Sequence, residues 1–138
     1  EDIPRKVAEY GKDTNFFSTN CGMQEPLLKS CVEQGAICAQ QCCPSPFHGY
    51  PGALGISLEG HSGDSKYMVE QIKLKLAELG GTGRFSSYAF PLAMVGTAAL
   101  VEYGIMYCEG QLKATKDKDG NEVVQDNFYL VLADYITF

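Results

Sequence analysis

The most informative run of residues is Asn15-Phe16-Phe17-Ser18-Thr19-Asn20-Cys21-Gly22-Met23-Gln24-Glu25-Pro26-Leu27-Leu28. A short apolar run ends there at small polar residues, and a helical pattern follows that ends at Gly35. Residues 36–40 then have the character of a second strand. This order of strand, loop, helix and strand is that of a βαβ unit, in which ligands bind at the carboxyl ends of the strands. The sequence therefore predicts an α/β fold with a mainly parallel sheet, flanking helices and a polar site at residues 18–24.

Length and composition limit the classes of function. A chain of 138 residues suits one domain or one lobe of a larger protein, and its 45% hydrophobic content argues against disorder. A net charge of −6 without a basic run makes nucleic acid and anionic membranes unexpected partners of this segment. The most apolar stretch, residues 92–108, is interrupted by Gly96, Glu102 and Gly104, so no membrane span is expected. The absence of an initial methionine predicts a processed product or a fragment.

Further elements follow from periodicity and capping residues. Asp2 and Pro4 predict the start of a first helix, which Gly11 ends. A second amphipathic pattern covers residues 67–79, with Asp64 or Ser65 as its cap. Residues 84–90 alternate as in a strand, residues 92–109 predict a well-buried helix, and residues 128–138 predict a buried final strand. Residues 116–122 resemble part of a calcium loop, but the strand character that follows favours a hairpin turn.

Neither the cysteines nor the histidines form a familiar catalytic or metal-binding motif. Cys31 and Cys38 lie in apolar patterns and are expected to be buried thiols. Cys42 and Cys43 have neither a CxxC spacing nor a close histidine partner, so no metal and no cofactor are expected. A thiolate nucleophile made from Cys43 or Cys21 with His48 is the alternative, and it would need a third, orienting group.

Two segments carry a resemblance to a known class of proteins. Residues 16–20, followed by a polar turn, an amphipathic helix and Gly35, resemble the second-lobe βα unit of type I periplasmic binding proteins. Residues 84–91, with the small residues and Gly110 that follow, resemble the hinge strand of those proteins and the first-lobe helix after it. The fuller pattern is similar to an uncharacterised bacterial family related to the binding proteins, and its most specific parts are residues 19–26, 44–49 and 134–138.

The resemblance implies the second half of a two-lobe fold. Residues 1–83 would form an α/β unit of the second lobe, and residues 84–138 would supply a crossover strand, a first-lobe helix and the C-terminal strand. A missing N-terminal half, another chain or a second copy would cover what this half leaves open. Sugar binders of this class usually carry Asp after the strand, whereas Asn20 and Cys21 stand here, so no particular substrate is implied.

The function implied is non-catalytic binding of a small polar solute in a cleft between lobes. The protein would act as a solute-binding protein of the ABC-transporter type, with a membrane permease complex as partner and an extracytoplasmic, periplasmic or lipoprotein location. The alternatives are a ligand-sensing regulator of the same fold and a Cys/His-dependent enzyme. Amide, hydroxyl, aromatic and basic side chains would contact the ligand. The candidate ligand-binding residues are Asn20, Cys21, Gln24, Ser45, Phe47, His48, Arg84, Ser86 and Tyr88.

Overall fold

The computed structural model describes residues 2–112, 115–123 and 131. No helix in this described part is long and apolar enough to cross a membrane. Two short strands, β1 (Thr115–Lys116) and β2 (Glu122–Val123), pair antiparallel. The helices are α1 (Asp2–Tyr10), a 3-10 helix (Cys21–Met23), α2 (Gln24–Gln34), α3 (Tyr50–Leu54), α4 (Ser65–Glu78) and α5 (Leu92–Cys108).

Helices α1, α2, α4 and α5 begin and end close to where capping residues and periodicity place them, whereas α3 was not predicted. The Asp64 side chain accepts a hydrogen bond from the Tyr67 N–H at 3.0 Å and caps α4 as predicted. The N–H of Gly11 donates to the carbonyl of Val7 at the end of α1, also as predicted. These features are local in sequence, and the predicted helices are confirmed.

One apolar core joins α2, α3 and α4. Leu28 and Cys31 of α2 are fully buried, and Met68 of α4 packs into the same cluster. Tyr50 is the largest fully buried side chain among the residues that the structure describes. Its hydroxyl donates to the Ser86 carbonyl at 2.9 Å, so the core is tied to the segment that follows α4. The remaining members of the cluster are Leu27, Ala36, Cys38, Leu54, Ile56, Ile72 and Leu76.

The predicted mainly parallel sheet is wrong for the described part of the chain. The three predicted strands meet only at isolated parallel bridges, Asn15 with Ile37 and Cys38 with Phe85. The Ala39 N–H, which would extend the first ladder, donates instead to the Asn15 side-chain oxygen at 3.0 Å. The second ladder stops in a similar way, because the Ser86 carbonyl accepts from the Tyr50 hydroxyl. Side chains thus occupy the backbone groups that a continuous sheet would need.

Other expectations about burial are also corrected. Phe16 and Ile37 lie in segments predicted as strands of a mainly parallel sheet, where burial is the usual environment, but both are only partly buried. The predicted final strand, residues 128–138, lies outside the described residues except for Val131, which is buried but helical. Helix α5 was expected to be well buried, yet only Val95 and Ala99 of its described side chains are buried.

The turn at residues 116–122 is a hairpin, as predicted. Thr115 pairs with Val123 and Lys116 with Glu122. The Asp117 carboxylate accepts hydrogen bonds from the backbone N–H groups of Asp119 and Asn121, both at 2.9 Å. The Asp117 carboxylate thus closes the turn through hydrogen bonds to its own backbone.

The core contains buried thiol and phenol groups, so we expect the protein to lose stability at high pH. Burial raises the pKa of the Cys31 thiol from 9.0 to about 12, and burial also raises the pKa of the Tyr50 hydroxyl. Both groups stay neutral in the folded chain and ionise earlier when it unfolds. The free energy of unfolding should therefore be insensitive to Cys31 below pH 9 and fall as the pH rises towards about 12.

Urea unfolding between about pH 7 and pH 11 measures this effect. This interval spans the pKa values of thiols and phenols in unfolded chains, about 8–10. Cys31→Ala should flatten the pH dependence, whereas Cys108→Ser, which changes an exposed thiol, should leave it as in the parent. Equal slopes for the parent and Cys31→Ala would contradict the prediction.

Candidate functional site

Three loops meet where parallel segments of the chain end. The bridges at Asn15–Ile37 and Cys38–Phe85 run parallel, so the three segments point their carboxyl ends in one direction. The loops that follow comprise residues 18–24, 41–48 and 86–87, and together we call them the loop cluster. The Ser87 hydroxyl donates to the Gln41 side-chain oxygen at 2.8 Å, which joins the third loop to the second. Short parallel pairing is thus enough to gather residues that are distant in sequence.

The first loop is held by its own polar side chains. The buried Ser18 hydroxyl donates to the Asn20 carbonyl at 2.6 Å. The Asn20 side-chain oxygen accepts from the Gly22 N–H at 2.8 Å and caps the 3-10 helix. Asn20 therefore acts as a helix cap through its side-chain oxygen, and the amide nitrogen of this exposed side chain takes no part in the cap bond.

Gln24 links the first loop to the second. Its side chain is fully buried, and its amide oxygen accepts from the Cys42 N–H at 3.1 Å. Its amide nitrogen has no hydrogen-bond partner within the described part of the chain. Burial raises the pKa of the neighbouring Cys38 thiol. Gln24 thus positions the Cys42 backbone, a role that its place in the sequence did not indicate.

Gln41 is a positioning residue that the sequence analysis missed. It is 1% exposed, and its amide nitrogen donates to the His48 carbonyl at 2.6 Å. Its amide oxygen accepts from the Ser45 N–H at 3.1 Å and from Ser87. One buried amide therefore closes the second loop on itself and binds it to the third. A glutamine beside a run of cysteines and prolines carries no periodic signal, so only the contacts identify it.

Thiols and an imidazole come together at the surface of the loop cluster. The Cys42 Sγ lies 3.3 Å from the His48 Nε2 and 3.6 Å from the Cys21 Sγ. The Cys21 Sγ also lies 3.4 Å from the Cys43 Sγ. All six cysteines of the chain lie in the described part and are free thiols. The absence of a close histidine, the reason for expecting no metal, does not hold, because the fold brings His48 to Cys42.

The same geometry bears on the predicted thiolate nucleophile. The thiol in contact with His48 is that of Cys42, whereas the sequence analysis paired His48 with Cys43 or Cys21. No residue in the described part donates to or accepts from the His48 Nδ1. The third, orienting group that such a catalytic set needs is not found among these residues.

Several predicted site residues have other roles. Arg84 forms an ion pair with Asp13 at 2.7 Å and donates to the Lys12 carbonyl at 3.3 Å. These partners lie before the first parallel segment, at the end remote from the loop cluster. Phe47 lies in the second loop, is partly buried and packs against the apolar core. Arg84 is therefore held away from the loop cluster, and part of the Phe47 ring is occupied by core contacts.

The remaining predicted residues divide between the cluster and its margin. The Ser45 hydroxyl accepts from the Phe47 N–H at 3.2 Å within the second loop. Ser86 offers its carbonyl to Tyr50, and Tyr88 is half-buried and accepts from the Ser87 hydroxyl through its carbonyl. Of the predicted residues, the loop cluster thus contains Asn20, Cys21, Gln24, Ser45, Phe47, His48 and Ser86, and Tyr88 lies beside it.

A wide groove lies away from the loop cluster. Its volume is about 680 Å³, and it runs between the first turns of α4 and the start of α5. No predicted site residue lines it; its walls include Asp64, Lys66, Glu70, Phe90 and Met94. A smaller cavity of about 250 Å³ has mainly apolar walls and reaches Ser86 and Ser87.

The comparisons with known proteins place the chain in a family. Residues 1–86 match the family described as "Protein of unknown function (DUF3798)". The match covers more than half of the chain, so the chain belongs to this family. No curated protein matches the chain.

A solved structure resembles most of the chain. It is described as a "Putative transcriptional regulator from Clostridium difficile 630" and is 28% identical, with a TM-score of 0.71. The likeness covers 79% of this chain and 31% of the other, so this chain spans less than a third of that protein's length.

Proposed function

We propose that this chain is the recognition part of a ligand-sensing protein and that it binds a small polar solute without chemical conversion. The observation that carries the proposal is the convergence of three loops at the carboxyl ends of parallel segments, joined by Gln24, Gln41 and Ser87. Sites at such ends commonly bind small molecules, because several loops can each contribute polar groups there.

The polar groups of the loop cluster suit recognition. Asn20 is exposed and has a side-chain nitrogen beyond its cap bond, and Cys21 and His48 reach the surface. Their neighbours are tied by buried amides, so little ordering is needed when a ligand binds. The solute would be uncharged or weakly charged, because the one arginine of the predicted site is paired with Asp13.

A sensing role is favoured over transport by a single comparison. The Clostridium difficile protein is described as a putative regulator, which supports both regulation and the expectation that this chain is not an enzyme. Delivery to a membrane permease and an extracytoplasmic location stay predictions from the resemblance to periplasmic binding proteins. The charge of −6 favours a segment that does not itself contact nucleic acid.

Calorimetric titration of the full chain with sugars, nucleosides and amino acids tests the proposal. We expect Asn20→Ala to weaken binding of any ligand found by about tenfold, the size of one lost hydrogen bond in a site. Because Asn20 also caps the 3-10 helix, the variant should lose about 1 kcal/mol of stability and remain folded.

Arg84→Ala serves as the matched control, since it removes a polar side chain of the same predicted site at the remote end of its segment. Its ligand affinity should stay within about twofold of that of the parent chain, a change well below the effect of one lost hydrogen bond. If no compound of the panel binds, or if Arg84→Ala weakens binding more than Asn20→Ala, the site assignment is wrong.

A further inference from the structure

The donors at the surface of the loop cluster form a compact group. The Cys21 Sγ, the Cys42 Sγ and a ring nitrogen of His48 all lie within 4.8 Å of one another. Cys42 and His48 are half-buried and Cys21 is exposed, so an ion from solvent can reach all three. Cys43 contacts Cys21 but does not belong to this mutually close group.

The separations suit a single tetrahedral ion. With metal–sulfur bonds of about 2.3 Å and metal–nitrogen bonds of about 2.0–2.1 Å, tetrahedral angles place two sulfurs about 3.8 Å apart and a sulfur and a nitrogen about 3.5 Å apart. The observed separations are 3.6 Å between the two sulfurs and 3.3 Å between the Cys42 Sγ and the His48 Nε2. Two of the three separations thus match a coordination shell to within a few tenths of an ångström, and the third, between the Cys21 Sγ and a His48 ring nitrogen, is no more than 4.8 Å and closes when the exposed Cys21 side chain moves inward.

The fold holds each donor through a neighbouring residue. The Asn20 cap sets the start of the 3-10 helix that carries Cys21. The buried Gln24 side chain accepts from the Cys42 N–H, and the buried Gln41 side chain donates to the His48 carbonyl. Two of these supports are buried amides rather than flexible surface groups. Such outer contacts are what normally orient the ligands of a metal site.

We propose that Cys21, Cys42 and His48 bind one Zn²⁺ ion and leave its fourth position open to solvent or to a ligand. Thiolate and imidazole donors select zinc over the hard cations calcium and magnesium. Binding releases two protons, one from each thiol, and the neutral imidazole coordinates through its lone pair at Nε2. Three protein ligands with one open position are typical of zinc sites that contact a further molecule. This zinc site lies in the same loops as the proposed solute site, but zinc binding does not depend on solute binding.

Disulfide formation is the competing chemistry of the same thiols. A Cys21–Cys43 disulfide requires the sulfurs to approach from 3.4 Å to about 2.05 Å, with an oxidant to take up two electrons and two protons. That bond would remove Cys21 from the metal site. Metal binding is therefore expected of the reduced chain and should be lost when these two thiols are oxidised.

The test uses the full chain, reduced with a phosphine and freed of metal, with Co²⁺ and Zn²⁺ alone as probes. Cobalt should give the visible absorption of a tetrahedral ion together with thiolate charge-transfer bands, saturating at one ion per chain, and zinc should displace it. Cys42→Ser and His48→Ala should each weaken zinc binding by about 100-fold or more. Changes outside the ligand shell typically cost about 10- to 100-fold, and the loss of a ligand should exceed that.

Cys108→Ser is the matched control, because it removes an exposed thiol outside the group. It should bind both metals as the parent does. Circular dichroism checks that all variants are folded, which is expected because the altered side chains lie at or near the surface.

Octahedral cobalt absorption, no saturable binding by the reduced parent, or parent-like affinity in folded Cys42→Ser and His48→Ala would each overturn the zinc site. The solute titrations are done on metal-free chain with Asn20→Ala and Arg84→Ala. A failed zinc site is thereby distinguished from a failed solute site.

Discussion

Leu28→Ala should lower the free energy of unfolding by about 2–5 kcal/mol, the range for deletion of a buried leucine side chain. Leu28 is fully buried in α2, where it joins the apolar cluster shared with α3 and α4. Its removal leaves a cavity beneath the loop cluster, because Leu28 also lies close to Gly49, just after the second loop. Urea unfolding followed by circular dichroism measures the loss.

The matched control is Leu74→Ala in α4, which makes the same chemical change at a side chain that is 54% exposed. This variant should lower the free energy of unfolding by less than about 0.5 kcal/mol, as surface substitutions usually do. Similar losses for the two variants would mean that the core is not centred where α2, α3 and α4 meet.

Gly49→Ala should lower the free energy of unfolding by about 2–4 kcal/mol. This is the sum of the penalty for a side chain in the left-handed backbone region and of crowding by neighbouring atoms. Gly49 has φ +77°, and a Cβ there would lie 3.1 Å from the Glu25 backbone nitrogen and 3.2 Å from the Leu28 Cδ1. The backbone contact cannot relax by a side-chain rotation, so the loop that carries His48 would have to shift. Thermal and urea unfolding of the variant measure the cost.

Gly55→Ala separates the two contributions. Gly55 has φ +65° but nothing within 4 Å of an added Cβ, so this variant should show the backbone penalty alone, about 1–2 kcal/mol. If Gly49→Ala is no more destabilising than Gly55→Ala, the result would contradict the close packing of the second loop on α2.

The parts of the fold that depend on neighbouring residues could be predicted. The Asp64 cap and the apolar spacing from Tyr67 to Leu76 act within a few residues, and α4 follows them. The hairpin at Asp117 depends on hydrogen bonds that span only four residues. The bounds of α5 were predicted but its exposure was not, because an apolar pattern indicates what a helix could bury and not which elements are present to cover it.

The sheet could not be predicted correctly, because a ladder depends on which groups reach the backbone in space. Apolar, β-branched and aromatic segments made strands the expected outcome. The Asn15 side chain and the Tyr50 hydroxyl take positions that ladder bonds would occupy. Tyr50 and its partner Ser86 are 36 residues apart in the chain, and nothing in the local sequence of either residue indicates that contact.

The sequence by itself determined helices α1, α2, α4 and α5, the Asp64 cap, the hairpin and the polar character of the loops at residues 18–24 and 44–48, since these depend on local spacing and hydrogen bonding. Only the tertiary structure decided that Arg84 pairs with Asp13, that Gln24 and Gln41 position the second loop, and that Cys21 meets Cys42 and His48. The physical reason is that hydrogen bonds, ion pairs and coordination act over a few ångströms. Which distant residues come within that range depends on how the helices pack around the core.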